Sequence, residues 1–190
     1  RAEAAAARVR ERVPDADVTG CANPDAAARS DLVVLSVPFA SQAPTLRALR
    51  SALQPGTVLL DVTVPLATAV GGRATRVVGV WQGSAAQQAQ ELVPDGVTVV
   101  SGLHTVAAKH LQDLDHAFDE DVLLTGDDAA AKRRVAELIR RIPGLRPVDA
   151  GRLEMARITE QLTALTIGVN IRHKVTAGIK LTGLPDDAWP

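Results

Sequence analysis

The chain has 190 residues, 46% of them hydrophobic, and a formal net charge of −1. That length buries a core as one domain, or as one domain with a small appendage, and near-zero charge removes any general attraction to nucleic acid or to an anionic membrane. Two Phe, two Trp and no Tyr leave little aromatic surface for stacking bases or sugars, so a flat ligand must lie against aliphatic walls.

The first dozen residues are good helix formers with alternating charge, and Val13-Pro14-Asp15 closes them. Residues 16–19 form a short strand candidate. Asn23-Pro24-Asp25 predicts a brief helix capped by Asn with Pro in its first turn. Leu32-Val33-Val34-Leu35 is too short for a lone helix and lacks polar alternation. It reads as a strand buried on both faces of a parallel sheet. It ends at Ser36 and Pro38, where an open α/β sheet binds its ligands. A helix over 41–53 with Pro44 in its first turn follows, broken by Gln54-Pro55-Gly56. Residues 57–61 give a second buried strand and residues 64–80 an irregular stretch. Ser84 then caps a helix to Leu92. Further strands are expected over 97–101, 122–125 and 146–149, with a helix over 128–142 between the last two. This alternation predicts a doubly wound sheet with right-handed crossovers.

From Leu153 the pattern becomes one long helix. Met155, Ile158, Leu162, Leu165 and Val169 make an apolar stripe, and Thr159, Thr163, Thr166 and Asn170 a polar, uncharged one. These hydroxyls either bond backbone or a partner helix, or line a cleft for an uncharged heterocycle. On either reading the segment is a helical cap on the sheet.

Chemical motifs are sparse. His104, His110, His116 and His173 are scattered, and none pairs with Cys at zinc-like spacing. There is no nucleophile elbow and no Gly-Lys-Ser/Thr phosphate loop, and Gly71-Gly72 lacks the strand and helix that a dinucleotide fingerprint needs. Asp127-Asp128 fits a solvated turn and helix cap. Cys21 stands alone without a basic neighbour, which suits a half-buried thiol in a reducing, cytoplasmic compartment rather than a nucleophile. No stretch reaches the ~18–20 apolar residues that span a bilayer, and the opening residues lack a signal peptide's hydrophobic centre. A chain without an acid–base constellation suits hydride transfer between bound cofactors, which needs alignment and exclusion of water.

Several stretches carry a family resemblance: Gly83-Ser84-Ala85-Ala86; Pro94 through Gly102-Leu103-His104-Thr105-Val106-Ala107-Ala108; Gly126-Asp127-Asp128; Gly144 through Asp149-Ala150-Gly151; and Ala177-Gly178-Ile179-Lys180-Leu181. Together, in register through nearly the whole chain, they resemble the NADPH-dependent reductases of coenzyme F420, a deazaflavin. The resemblance implies reversible hydride transfer between NADPH and F420 by a homodimer whose partners are small-molecule cofactors. It implies a Rossmann-like doubly wound parallel sheet over 1–151, lacking its first βαβ portion, and a small helical part over 152–190. Members of the family open with a strand, a Gly-rich turn and a helix, then a second strand ending in Ser-Arg. None of these is in this sequence. It is therefore expected to be incomplete at its amino end, leaving the Leu32–Leu35 strand with an exposed edge, or else its strands close up around the gap.

The resemblance also assigns a site. Ser36, Val37 and Pro38 match the strand end beside ribose and nicotinamide. Val64 and Pro65 match the opposite wall. Leu103, His104, Thr105, Ala107 and Ala108 match the loop where the two rings meet, with small Ala residues admitting a flat ring. Arg1 falls near a position that contacts the 2′-phosphate, and reads equally as a solvated arginine. His104 is expected either to position the deazaflavin or to bond neighbouring backbone in a structural role. Two other readings stay open: a different NADPH-dependent reductase of this architecture, of the pyrroline-carboxylate or imine reductase kind, and a non-catalytic remnant that holds no NADPH.

Overall fold

A computed structural model describes residues 1–185 and Trp189. After the helix α1 (Ala2–Arg12) and the short α2 (Asn23–Ala28), strands and helices alternate as β1 (Leu32–Leu35), α3 (Phe39–Leu49), β2 (Val58–Asp61), α4 (Ala85–Leu92) and β3 (Thr98–Ser101). The three strands are parallel, in the order β1-β2-β3. Then come α5 (Ala108–Leu111), β4 (Glu120–Leu124), α6 (Ala129–Ile139) and β5 (Leu145–Asp149), with β4 and β5 forming a separate parallel pair. An antiparallel bridge joins the two sheets, Ser101 and Thr125 exchanging N–H···O bonds of 2.9 and 3.0 Å.

Successive strand residues point to opposite faces, and each face has its own core. On one side Leu35, Leu59 and Val99 pack with Leu46 and Leu49 of α3 and Ala86 and Ala89 of α4. On the other, Val58, Leu60 and Val100 meet Val135, Ala136 and Ile139 of α6 and Val122 and Leu124 of β4. Full burial of a side chain such as Leu46 or Leu60 contributes ~1.5–3 kcal/mol. The result is the expected α/β class with parallel strands covered by helices. β1 departs from the expectation of burial on both faces, for Val34 is 45% exposed. Its register partner Leu60, by contrast, lies under α6.

Local sequence accounts for most boundaries. Ser84 accepts from the Gln87 N–H at 3.0 Å and Asp128 from the Ala131 N–H at 2.7 Å. Each is an N-cap worth ~1 kcal/mol. Gly144, at φ +81°, turns into β5 where an added Cβ would sit 1.9 Å from the Phe118 carbonyl oxygen. Several expectations need correction. Residues 16–19 form no strand; the Val18 carbonyl instead accepts from Arg10 of α1 at 2.6 Å. Asn23 lies inside α2, and Ala22 takes the cap position. α3 begins at Phe39, α6 stops at Ile139 and β4 begins at Glu120. The long helix is divided into a 3₁₀ turn (Leu153–Met155), α7 (Ala156–Thr159) and α8 (Gln161–His173), although the backbone of the intervening Glu160 stays helical. Leu153 and Ala156 belong to the first core.

Of the apolar stripe in this region, Leu162 alone is half-buried and the other four members are exposed. Ile158 and Leu165 are 49% and 58% exposed, while Thr159 and Thr166 are buried. The hydroxyls bond backbone: Thr163 to the His104 carbonyl at 2.9 Å and Thr166 to the Thr163 carbonyl at 3.0 Å. Beyond α8, the chain runs along the edge of β4. The Asp121 N–H donates to the Ile179 carbonyl at 2.7 Å, and Arg146 grips both Asp121 oxygens, at 2.7 and 2.9 Å, and the Leu181 carbonyl.

Candidate functional site

Because β1, β2 and β3 are parallel and in register, Leu35, Asp61 and Ser101 end them side by side. Their exits emerge at one edge of the sheet, the edge at which open α/β sheets bind ligands. Ser36 and Pro38 are exposed there and Val37 is half-buried against the core. An apolar trough of about 310 Å³ runs from Ser36 and Val37 back along β1 to Ala26 and Ala27 of α2. At the β2 exit Val64 is half-buried and Pro65 buried, with the Pro65 carbonyl accepting from the Val78 N–H at 2.7 Å.

The β3 exit is the most constrained. Gly102 donates to the Asp61 carbonyl at 3.3 Å, and a Cβ on it would lie 2.5 Å from Leu124 Cδ2. Leu103 adopts φ +64°, a left-handed conformation uncommon for a side chain of its kind and often found at functional sites. That turn brings His104 back onto the strand, Nε2 lying 2.7 Å from Ser101 Oγ. Nδ1 is buried without a hydrogen-bond partner. Burial pushes the imidazole down to about 4, against a smaller opposing pull from the Val62 carbonyl, so the ring is neutral at physiological pH. Leu103, His104 and Thr105 line a cavity of about 10 Å³ with Leu123, Thr159 and Leu162. Ala107 precedes α5 and Ala108 opens it, exposed.

The exits of all three strands thus converge. Arg1 is exposed at the head of α1, a helix fastened to the 16–20 segment by Glu3, which accepts from the Gly20 N–H at 3.2 Å.

A buried polar network beneath the β2 exit was not singled out from the sequence. Asp61, wholly buried, accepts from the Thr63 N–H at 2.9 Å and from Gln42 Nε2 at 2.6 Å. Gln42 Nε2 also lies 2.9 Å from the Ala85 carbonyl, and its oxygen accepts from Gln88 at 2.7 Å. Glu160 completes the set: its two oxygens accept from the Ala85 and Ala86 N–H groups at the head of α4, at 2.9 and 3.0 Å. Burial raises Asp61 to about 6 and Glu160 to about 8, and the Asp61 charge adds to the second shift. One signal was available, since Glu160 is the single charged residue between Arg157 and Arg172. A lone acid inside an uncharged helical run is expensive to bury unless it is fully bonded.

A parallel sheet wound on both faces, with its exits gathered at one edge, defines an α/β protein of the dinucleotide-binding class. Comparison with known proteins narrows this. Residues 1–65 match the family described as NADP oxidoreductase coenzyme F420-dependent. An F420-dependent NADP reductase of Methanothermobacter thermautotrophicus is 40% identical over 174 residues, covering 90% of this chain and 75% of the relative. That of Methanocaldococcus jannaschii is 39% identical over 189 residues, covering 97% and 84%. A solved structure assigned as an F420-dependent NADP reductase from Arthrobacter sp. FB24 superposes with a TM-score of 0.75 at 29% identity, covering 85% of this chain and 74% of that one. The chain belongs to the F420-dependent NADP reductase family.

Proposed function

We propose that this chain transfers hydride between NADP(H) and coenzyme F420 at the edge where β1, β2 and β3 end. The observation that carries the reading is the coincidence of the family's motif, Gly102 through Ala108, with the left-handed Leu103 turn and the His104 ring held by Ser101. The small and uncharged side chains at these exits suit two flat cofactors. Ser36, Val37 and Pro38 would hold ribose and nicotinamide on one side, and Val64 and Pro65 would wall the other. Leu103, His104, Thr105, Ala107 and Ala108 would receive the deazaflavin, and Arg1 would meet the 2′-phosphate. When bound, the reduced nicotinamide supplies the hydride and the deazaflavin accepts it. The protein's part is to align the rings and exclude water. His104, neutral and fixed by Ser101, acts as a hydrogen-bonding positioner rather than as a strong acid.

We read residues 1–151 as the dinucleotide-binding part and 152–190 as the helical part. The exposed apolar stripe of Ile158, Leu165 and Val169 supports a homodimer, since a contiguous apolar surface of this kind marks an interface. The lone Cys21 suits the reducing cytoplasm. Among the described residues no helix is long and apolar enough to cross a membrane. Adding NADPH to the protein with oxidised F420 and following the deazaflavin absorbance tests the activity. Bleaching that depends on both is expected, whereas turnover with a cyclic imine but not with F420 would move the chain to another reductase class.

A further inference from the structure

Resting on the reading of the cleft just given, we propose that Asp61, Glu160 and Thr163 are positioning residues that hold the two walls of the hydride-transfer site in register. Asp61 acts on the β2 wall. By accepting from the Thr63 N–H it closes a tight turn around Val62, and it sets the direction in which Val64 and Pro65 leave the strand. Gln42 Nε2 donates to Asp61 at 2.6 Å and lies 2.8 Å from Thr63 Oγ1, so the turn is braced from α3 as well.

Glu160 and Thr163 act on the other wall. They are three residues apart and so share one helix face, the face turned toward the sheet. Glu160 clasps the first two N–H groups of α4, fixing the height of α8 against the strand-end edge. Thr163, one turn further along, donates to the His104 carbonyl at 2.9 Å. Ser101 meanwhile holds the His104 ring from below. The clasp and the Asp61 turn meet at α4: Gln42, bound to Asp61, also reaches the Ala85 carbonyl, and Ala85 donates its N–H to Glu160. A single bonded path thus joins the β2 exit to the helix that holds the His104 loop. Misplacing reacting groups by about 1 Å costs on the order of 10²-fold in rate, so a path that fixes both walls acts on the transfer step rather than on the initial capture of NADPH.

Thr163→Val and Asp61→Asn, made in the complete chain, test this. Both are conservative, and unchanged thermal melting of Thr163→Val confirms that the fold survives. Single-turnover NADPH oxidation by F420 should slow about tenfold while the dissociation constant for NADPH stays within about twofold. Thr163→Ser should restore the rate, and the ¹⁵N resonances of the His104 ring should move in both variants. Unchanged transfer rates, or equal losses in rate and NADPH affinity with no rescue by Ser, would overturn the proposal. If the unaltered chain transfers no hydride to F420, the functional reading fails. The His104 resonances then decide the positioning claim alone: a shift in the variants upholds it and identical spectra refute it.

Discussion

His104 shows how few atoms this site needs. Its Nε2 is committed to Ser101, its carbonyl to Thr163, and its buried Nδ1 has no partner. A loop held at both the ring and the backbone of one residue keeps that residue's place beside the strand ends. His104→Ala should therefore lower turnover with F420 by about tenfold and leave NADPH affinity nearly unchanged, as read from steady-state kinetics beside a binding titration. Equal losses in both would make the residue merely structural. Sequence alone singled out His104 but left its structural and ligand-facing roles level. The ring meets Ser101 Oγ at 2.7 Å, a contact across three residues that accompanies the left-handed turn at Leu103. Nothing in the identity of Leu103 announces that conformation, since it is one that Leu rarely adopts.

At the scale of elements, short apolar runs and caps were legible. Leu32–Leu35, the Thr-Val-Leu-Leu-Asp strand, and the Ser84 and Asp128 caps depend on neighbours within a few residues. What sequence could not show was which helix face turns inward. The Met155, Ile158, Leu162, Leu165 and Val169 stripe has the spacing of a core face, yet only Leu162 of it is half-buried, while Thr159 and Thr166 are buried. The buried acid Glu160 and the His104 carbonyl both require polar partners there. Glu160 also yields a prediction about pH. Burial outweighs the two N–H bonds and holds its carboxyl at about 8 against an ordinary 4.5. A raised carboxyl means that the folded chain binds this proton more tightly than the unfolded chain does. The corresponding stability is complete below 4.5 and is lost as pH rises through about 8. Asp61, raised from 3.8 to about 6, adds a loss of the same sign at lower pH. Denaturant midpoints should thus fall from acid to mildly alkaline pH, and Glu160→Gln, which cannot ionise, should flatten the upper part of that fall. An unchanged slope would show that Glu160 is ionised throughout.

Across the whole molecule, two cores back-to-back on one parallel sheet place the three exits at one edge, and the C-terminal helix and strap tie the β4–β5 pair to that edge. The alternation of strands and helices made this class legible, but the split into two sheets joined at Ser101 and Thr125 was not, because a single antiparallel bridge leaves no periodic trace. The exposed stripe on α8 belongs to this scale. Leu165→Asp should convert a dimer to monomer in sedimentation without changing the melting of the fold, and a monomeric parent chain would remove the homodimer from the account. Hydride is expected to pass directly between two cofactors at the strand-end edge. This passage is tested most directly by incubating the protein with F420 and NADPH carrying deuterium at the transferable position of the nicotinamide, then weighing the reduced deazaflavin. Direct transfer leaves one deuterium in the product in ordinary water. Reduced F420 without the label, or no reduction at all, would contradict it.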